Sequence, residues 1–183
     1  MGIAANQARL MALTARQNDL EYRAQQISAT KMQLSQTSST LAKNYADALN
    51  NYSKLNSAYQ MQKQYAGYTK KVIVDGEEVE KPICFTVNKD GSFSMSETGT
   101  SAADLLQAVS VQLGVGVVTD PSGYLTIQKE TYDTETAQIS SIEKIYDMDL
   151  TQVNTEHDAI KTEYDAIKSL VGDNVEKSFN VFG

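Results

Sequence analysis

Tryptophan is absent from these 183 residues, and the chain has only one cysteine, one histidine and two prolines. A single cysteine, Cys84, excludes an internal disulfide and any multi-cysteine metal centre. No run of about 18 apolar residues occurs, so no membrane span is expected. The start, Met1-Gly2-Ile3-Ala4-Ala5-Asn6-Gln7, has no basic stretch followed by an apolar core, so no cleavable secretory signal is expected. It also lacks the Ser or Thr that a myristoylation site prefers near Gln7. Basic charge is in deficit: the formal net charge is −7 and the pI is about 4.7, which argues against a nucleic-acid partner. There is no phosphate-binding glycine loop, zinc pattern or nucleophile elbow. No cofactor, metal site or catalytic residue is therefore assigned, and an enzyme is not expected.

What the chain has in quantity is Gln, Asn, Ser, Thr and Ala, concentrated toward its ends. From Asn6 to Ala66 there is neither Pro nor Gly. Leu13, Leu20, Ile27, Leu34, Leu41, Ala48 and Leu55 recur every seven residues. A companion row three residues ahead reads Leu10, Gln17, Ala24, Lys31, Ser38, Tyr45, Tyr52 and Tyr59. These are the d and a positions of a heptad repeat, the pattern of a coiled-coil helix. At 1.5 Å per residue the helix would extend roughly 90 Å, and it needs a partner along its length.

The other end of the chain offers that partner. Ile139, Tyr146, Val153, Ile160 and Ile167 recur at the same spacing, with Leu150, His157, Tyr164 and Val171 as the second row. The stretch from Thr155 to Lys161 is nearly repeated by Thr162 to Lys168. Gly172-Asp173-Asn174 is expected to break this helix, with Asp173 capping a last turn toward Phe179. The expected fold is mainly α: a long antiparallel two-helix coiled coil formed by residues 1–67 and 131–183, carrying a small α+β domain inserted at 68–130.

A register that brings the two ends flush sets Leu13 opposite Val171, Leu20 opposite Tyr164, Ile27 opposite His157, Leu34 opposite Leu150 and Tyr45 opposite Ile139. The predicted seam is Leu13, Leu20, Ile27, Leu34, Leu41, Leu150, Val153, His157, Ile160, Tyr164, Ile167 and Val171. Arg9, Arg16 and Arg23 line one flank, and Glu156 and Glu163 flank the opposing stripe. His157 reads as a seam residue, and Cys84 as a core thiol at the start of an apolar strand. Tyr52 and Tyr59 are placed against the inserted domain, another subunit or an ordinary seam, with these alternatives open.

The middle of the chain changes texture. Lys71 to Val79 reads as a hairpin turning at Asp75-Gly76. Cys84 to Val87, a turn at Asn88-Lys89-Asp90-Gly91 and Ser92 to Met95 read as a second hairpin. Ser101 is expected to cap a short helix to Leu113, with Leu105, Leu106, Val109 and Leu113 on its buried face. A third hairpin is expected from Val115 to Thr119 and Tyr124 to Gln128, turning at Asp120-Pro121-Ser122-Gly123.

The segment from Thr100-Ser101-Ala102-Ala103-Asp104-Leu105-Leu106-Gln107-Ala108-Val109 through Gly114-Val115-Gly116-Val117 to Gly123-Tyr124-Leu125-Thr126-Ile127 is similar to the flagellin hook motif. That motif is a short helix followed by a hairpin, found in flagellins, hook-associated proteins and filament caps. Here Val109-Ser110 stand where the motif has Ile-Asn. The resemblance covers about 30 residues. It implies an exported axial subunit that pairs its terminal helices, displays its middle domain and leaves the cell without a cleaved signal.

A second stripe on the N-terminal helix, Ala8, Met11, Ala15, Tyr22, Ala29 and Met32, lies off the seam and would face water in a two-helix rod. It is the candidate self-assembly face. The leading expectation is therefore a structural, self-assembling subunit of a flagellar-axial-like or cell-surface filament, extracellular or at the cell surface by a route without a signal peptide, with further copies of itself and an export chaperone as candidate partners. The alternative is a cytoplasmic coiled-coil adaptor or secretion partner that never polymerises.

Overall fold

The computed structural model describes the backbone of residues 3–182 and the side chains of residues 4–176. It is mainly helical, with a long helix at each end and a small β region between them. Helix α1 runs Ile3–Tyr65, strands β1 Thr69–Val74 and β2 Glu77–Pro82 follow, then β3 Cys84–Val87, β4 Phe93–Ser96 and β5 Thr100–Ser101. A 3-10 turn, Ala102–Asp104, leads into α2, Leu105–Leu113, and α3 runs Pro121–Phe182. The chain divides into two compact units. One takes residues up to Ser38 and from Ala137 onward, and the other is Ser39–Thr136. Both long helices contribute to both units, so the division falls inside them and not at 67/68 and 130/131.

In the first unit, Leu13, Leu20, Val153, Ile160 and Ile167 form one buried cluster, joined by Leu10, Ala24, Ile27, Tyr164 and Val171. Arg9 pairs with Glu163, Arg16 with Glu156 at 3.7 Å, and Lys31 with Asp147. Early residues of α1 thus meet late residues of α3, and the helices run in opposite directions. These pairs correct the flush register, in which Arg16 would face Lys168 and Lys31 would face Val153. His157 stands 3.5 Å from Glu21, about one heptad away from the Ile27 that the flush register sets against it. A heptad pattern is degenerate in steps of seven, and alignment of chain ends supplies no energy; the flank charges choose among the steps. Met1 and Gly183, set opposite each other in the flush register, lie outside the described residues.

The second unit has a thicker core. Leu55 and Ala58 of α1, Phe85 of β3, Ala102, Leu105, Leu106 and Val109 around α2, and Val118 are buried together. Tyr59, Tyr65, Phe93, Leu113 and Tyr124 pack against them. Phe85 takes Phe93 edge-on at 5.9 Å and Tyr65 at 6.2 Å, within the range at which aromatic pairs add to simple burial. Strands β4-β3-β5 form one antiparallel sheet, and β1 and β2 form a separate hairpin in which Val72 pairs with Val79. The hairpin turns at Asp75 and Gly76, both at positive φ (54° and 88°), the left-handed pair that a two-residue hairpin turn requires. Ser101 accepts a hydrogen bond from the Asp104 amide, and Gly114 ends α2 in the left-handed region at φ 68°.

The third hairpin does not form. Asp120 is instead the N-cap of α3: its carboxylate accepts the amide protons of Ser122 at 3.0 Å and Gly123 at 3.1 Å. Pro121 occupies the first helical position, where its missing N–H costs nothing. Tyr124 to Gln128 are therefore helical, and α3 starts at Pro121, not near residue 131. The hairpin half of the flagellin-like segment is absent for the same reason. The expected break at Gly172 and the cap at Asp173 are also overturned, because α3 continues through both. One glycine in a long helix costs roughly 1 kcal/mol, which does not outweigh continuation of the helix on either side.

Candidate functional site

Helix α1 carries the candidate assembly face because no Pro or Gly from Asn6 to its end at Tyr65 interrupts its hydrogen-bonding ladder. Residues seven apart return to almost the same angle on a helix of 3.6 residues per turn. Ala15, Tyr22 and Ala29 therefore stack along one line, with Met11 and Met32 just beside it. All six residues of the stripe are exposed. Met11 is 70% accessible, Tyr22 60% and Met32 63%. The positions between them on this face are Asn18 and Gln25, so the stripe contains apolar and amide groups and no formal charge.

Every predicted seam residue is buried or half-buried. Leu41, however, lies in the second unit. Lys31 occupies a core-row position half-buried and is neutralised by Asp147. His157 sits in the same seam, with Nε2 3.5 Å from Glu21 Oε1 and Nδ1 3.6 Å from Asp158 Oδ1. Cys84 is half-buried, and its thiol donates to the Pro82 carbonyl at 3.5 Å.

The two Asp-containing loops have internal roles. In the Asn88–Gly91 turn, the Ser92 hydroxyl and amide donate to the Asp90 carboxylate at 2.7 and 3.0 Å. These bonds hold the Asp90 carboxyl below its ordinary value. In the second loop, the Asp120 carboxylate is occupied by the helix amides. Among the described residues, no three His, Cys, Asp or Glu side chains gather where they could hold a metal. An open groove of about 480 Å³ in the second unit is lined by Phe85, Val87, Asp104, Gln107 and Val111. Asp104 there accepts the Ser101 hydroxyl at 2.7 Å, as part of the helix start.

Tyr52 is half-buried, and Tyr59 packs into the core of the second unit, which answers its placement in favour of the inserted region. Tyr45 stacks on Tyr132 with centroids 4.6 Å apart, one heptad before its expected partner Ile139. Sequence reasoning missed a second exposed apolar group on α3: Ile142 (39%), Ile145 (52%) and Met148 (64%). Their i, i+3, i+6 spacing, off the heptad rows, was the available signal. Unlike the α1 stripe, this group is interrupted by Lys144 and Asp149.

Among the described residues, no helix is long and apolar enough to cross a membrane. No protein family, curated protein or solved structure matches the chain.

Proposed function

We propose that this chain is a structural, self-assembling subunit of an exported filament of the flagellar-axial or cell-surface kind. In this reading the terminal parts of α1 and α3 pair as an antiparallel coiled coil. The interlocked apolar rows and the flanking Arg–Glu pairs support that pairing. The likeness to filament proteins rests on the placement of a middle region between two terminal helices, since the helix–hairpin unit itself is not formed.

The observation that carries the assembly reading is the exposed stripe from Ala8 to Met32. Two methionines and a tyrosine, each more than half accessible on one helix face, are costly to leave in water. Burying each side chain contributes on the order of 1.5–3 kcal/mol, which offsets the ordering cost of association. The test is sedimentation and negative-stain microscopy of the wild type beside Met11→Glu with Met32→Glu at matched concentration. Concentration-dependent fibres or rings are expected from the wild type, and an intact helical monomer from the variant. A wild type that stays monomeric at high concentration is the non-polymerising adaptor instead.

A further inference from the structure

The β1–β2 hairpin is open on both sides. It is a two-stranded sheet, and among the described residues no ladder bond reaches the outer edge of either strand. Just beyond the strands, the Ile83 amide donates to the Tyr68 carbonyl at 3.4 Å. Bonded pairs alternate along an antiparallel ladder, so Lys70–Lys81, Val72–Val79 and Val74–Glu77 bond across the hairpin. The amides and carbonyls of Thr69, Lys71 and Ile73 on β1, and of Glu78 and Glu80 on β2, therefore point outward. Every residue of β2 is exposed, and Ile73 on β1 is 74% accessible. A two-stranded hairpin with so little cover is marginally stable by itself.

The two edges carry opposite charge in equal amount. Strand β1 has Lys70 and Lys71 and no acid, net +2, while β2 has Glu77, Glu78 and Glu80 against Lys81, net −2. We infer that the hairpin is a strand-addition site for a second copy of this chain, with β1 of one copy laid along the outer edge of β2 of the next. This inference rests on the self-assembly reading and adds a contact independent of the α1 stripe. Charges on edge strands commonly keep sheets apart, and here they do so selectively. Strand β1 against β1 sets lysine beside lysine, and β2 against β2 sets glutamate beside glutamate, and like charges on neighbouring strands repel. Only β1 against β2 is attractive. Inside the hairpin Lys71 meets Glu78 at 3.0 Å, but Lys70 stands opposite Lys81, and neither of these two forms an ion pair among the described residues. A β2 strand from a second copy brings carboxylates to the open side of Lys70. Main-chain bonds give strand addition its affinity, and side chains give it selectivity. Because each copy has one edge of each sign, the contact is heterologous and repeats, giving rings where it closes and fibres where it does not.

Charge reversal in the full chain tests the contact. Lys70→Glu with Lys71→Glu makes both edges acidic, and Glu78→Lys with Glu80→Lys makes both basic. Each variant alone should need about ten-fold more protein to assemble, and an equal mixture should recover the wild-type concentration dependence in sedimentation. Hydrogen exchange gives a second reading. The outward amides of Lys71, Ile73 and Glu80 should exchange freely in the monomer and at least about ten-fold more slowly in the assembled wild type. Ile73→Pro removes one outward donor, leaves the inner ladder whole and should impair assembly as the reversals do. It decides the matter if a reversal unfolds the hairpin. Three results overturn strand addition and leave the self-assembly reading standing: normal assembly of Ile73→Pro, unprotected outward amides in the assembled wild type, or a mixture of folded variants that does not recover. A wild type that is monomeric at every concentration overturns both.

Discussion

The two compact units solve the same problem, burial of apolar surface, with different amounts of material. In the first unit the buried cluster is five residues drawn from two helices, and its rim is dressed with ion pairs. In the second, two long helices, a three-stranded sheet and α2 enclose Phe85, Leu105 and Val109, which have at most 2% of their surface exposed. Two helices alone can bury only a stripe each, so the first unit leaves Met11, Tyr22 and Met32 uncovered. The second unit also leaves apolar side chains in water, Ile73, Met95, Val111, Val117 and Ile127 each more than half exposed, so the units differ in the depth of the core and not in how much apolar surface stays uncovered.

The largest expected effect lies in the thick core. Phe85→Ala removes a ring that contacts both Tyr65 and Phe93, and should destabilise the second unit by about 3–5 kcal/mol. A two-transition melt is expected, with near-UV aromatic signal lost first and most far-UV helical signal retained. A single transition in which both signals collapse together would remove the distinction between the units.

Leu20→Ala is the matching test in the thin core. Leu20 is 2% exposed, but the wall around it is only two helices deep and can close partly over the gap. A loss of about 2–3 kcal/mol is expected, at the lower end of the Leu→Ala range. Chemical denaturation followed by helical signal reads it. A loss as large as that of Phe85→Ala would mean that further helices already enclose Leu20 in solution.

Much of this division was legible in the residues. The heptad rows located both helices, the Asp75-Gly76 and Asn88–Gly91 turns located two hairpins, and the six residues from Ala8 to Met32 are exposed. The misreadings share a cause: short signals with two meanings. Asp120-Pro121-Ser122-Gly123 satisfies the rules for a turn and also those for a capped helix start. The strand propensity of Tyr124-Leu125-Thr126-Ile127 then tipped the reading toward a hairpin, although helix α3 continues for a further 55 residues to Phe182 (182 − 127) and overrides it. Register failed differently, because seven-fold periodicity carries no information about which heptad meets which.

Gly172→Ala sharpens the helix boundary. A Cβ at this position meets no atom within 4 Å, and the residue is helical. Alanine should therefore stabilise the first unit by about 0.5–1 kcal/mol through reduced freedom of the unfolded chain and better helix propensity. Thermal unfolding of the two proteins side by side measures the change. Destabilisation would indicate a left-handed residue at 172 and restore the break that the sequence pattern suggested.

The smallest effect is also the most specific to register. Arg16 is exposed and Glu156 half-buried on the rim of the first unit, 3.7 Å apart, with side chains 66% and 37% accessible. Solvent screening limits such a pair to about 0.2–1 kcal/mol, so its sign and partner matter more than its size. A double-mutant cycle with Arg16→Gln and Glu156→Gln should give a favourable coupling in this range, decreasing as salt shortens the Debye length toward about 3 Å near 1 M. The same cycle with Lys168→Gln is the control, because the flush register would place Arg16 beside that like charge. Coupling to Glu156 with none to Lys168 fixes the helices one heptad from flush. An unfavourable Arg16–Lys168 coupling, with Glu156 silent, would shift the seam back. His157 would then stand level with Ile27, and not beside Glu21.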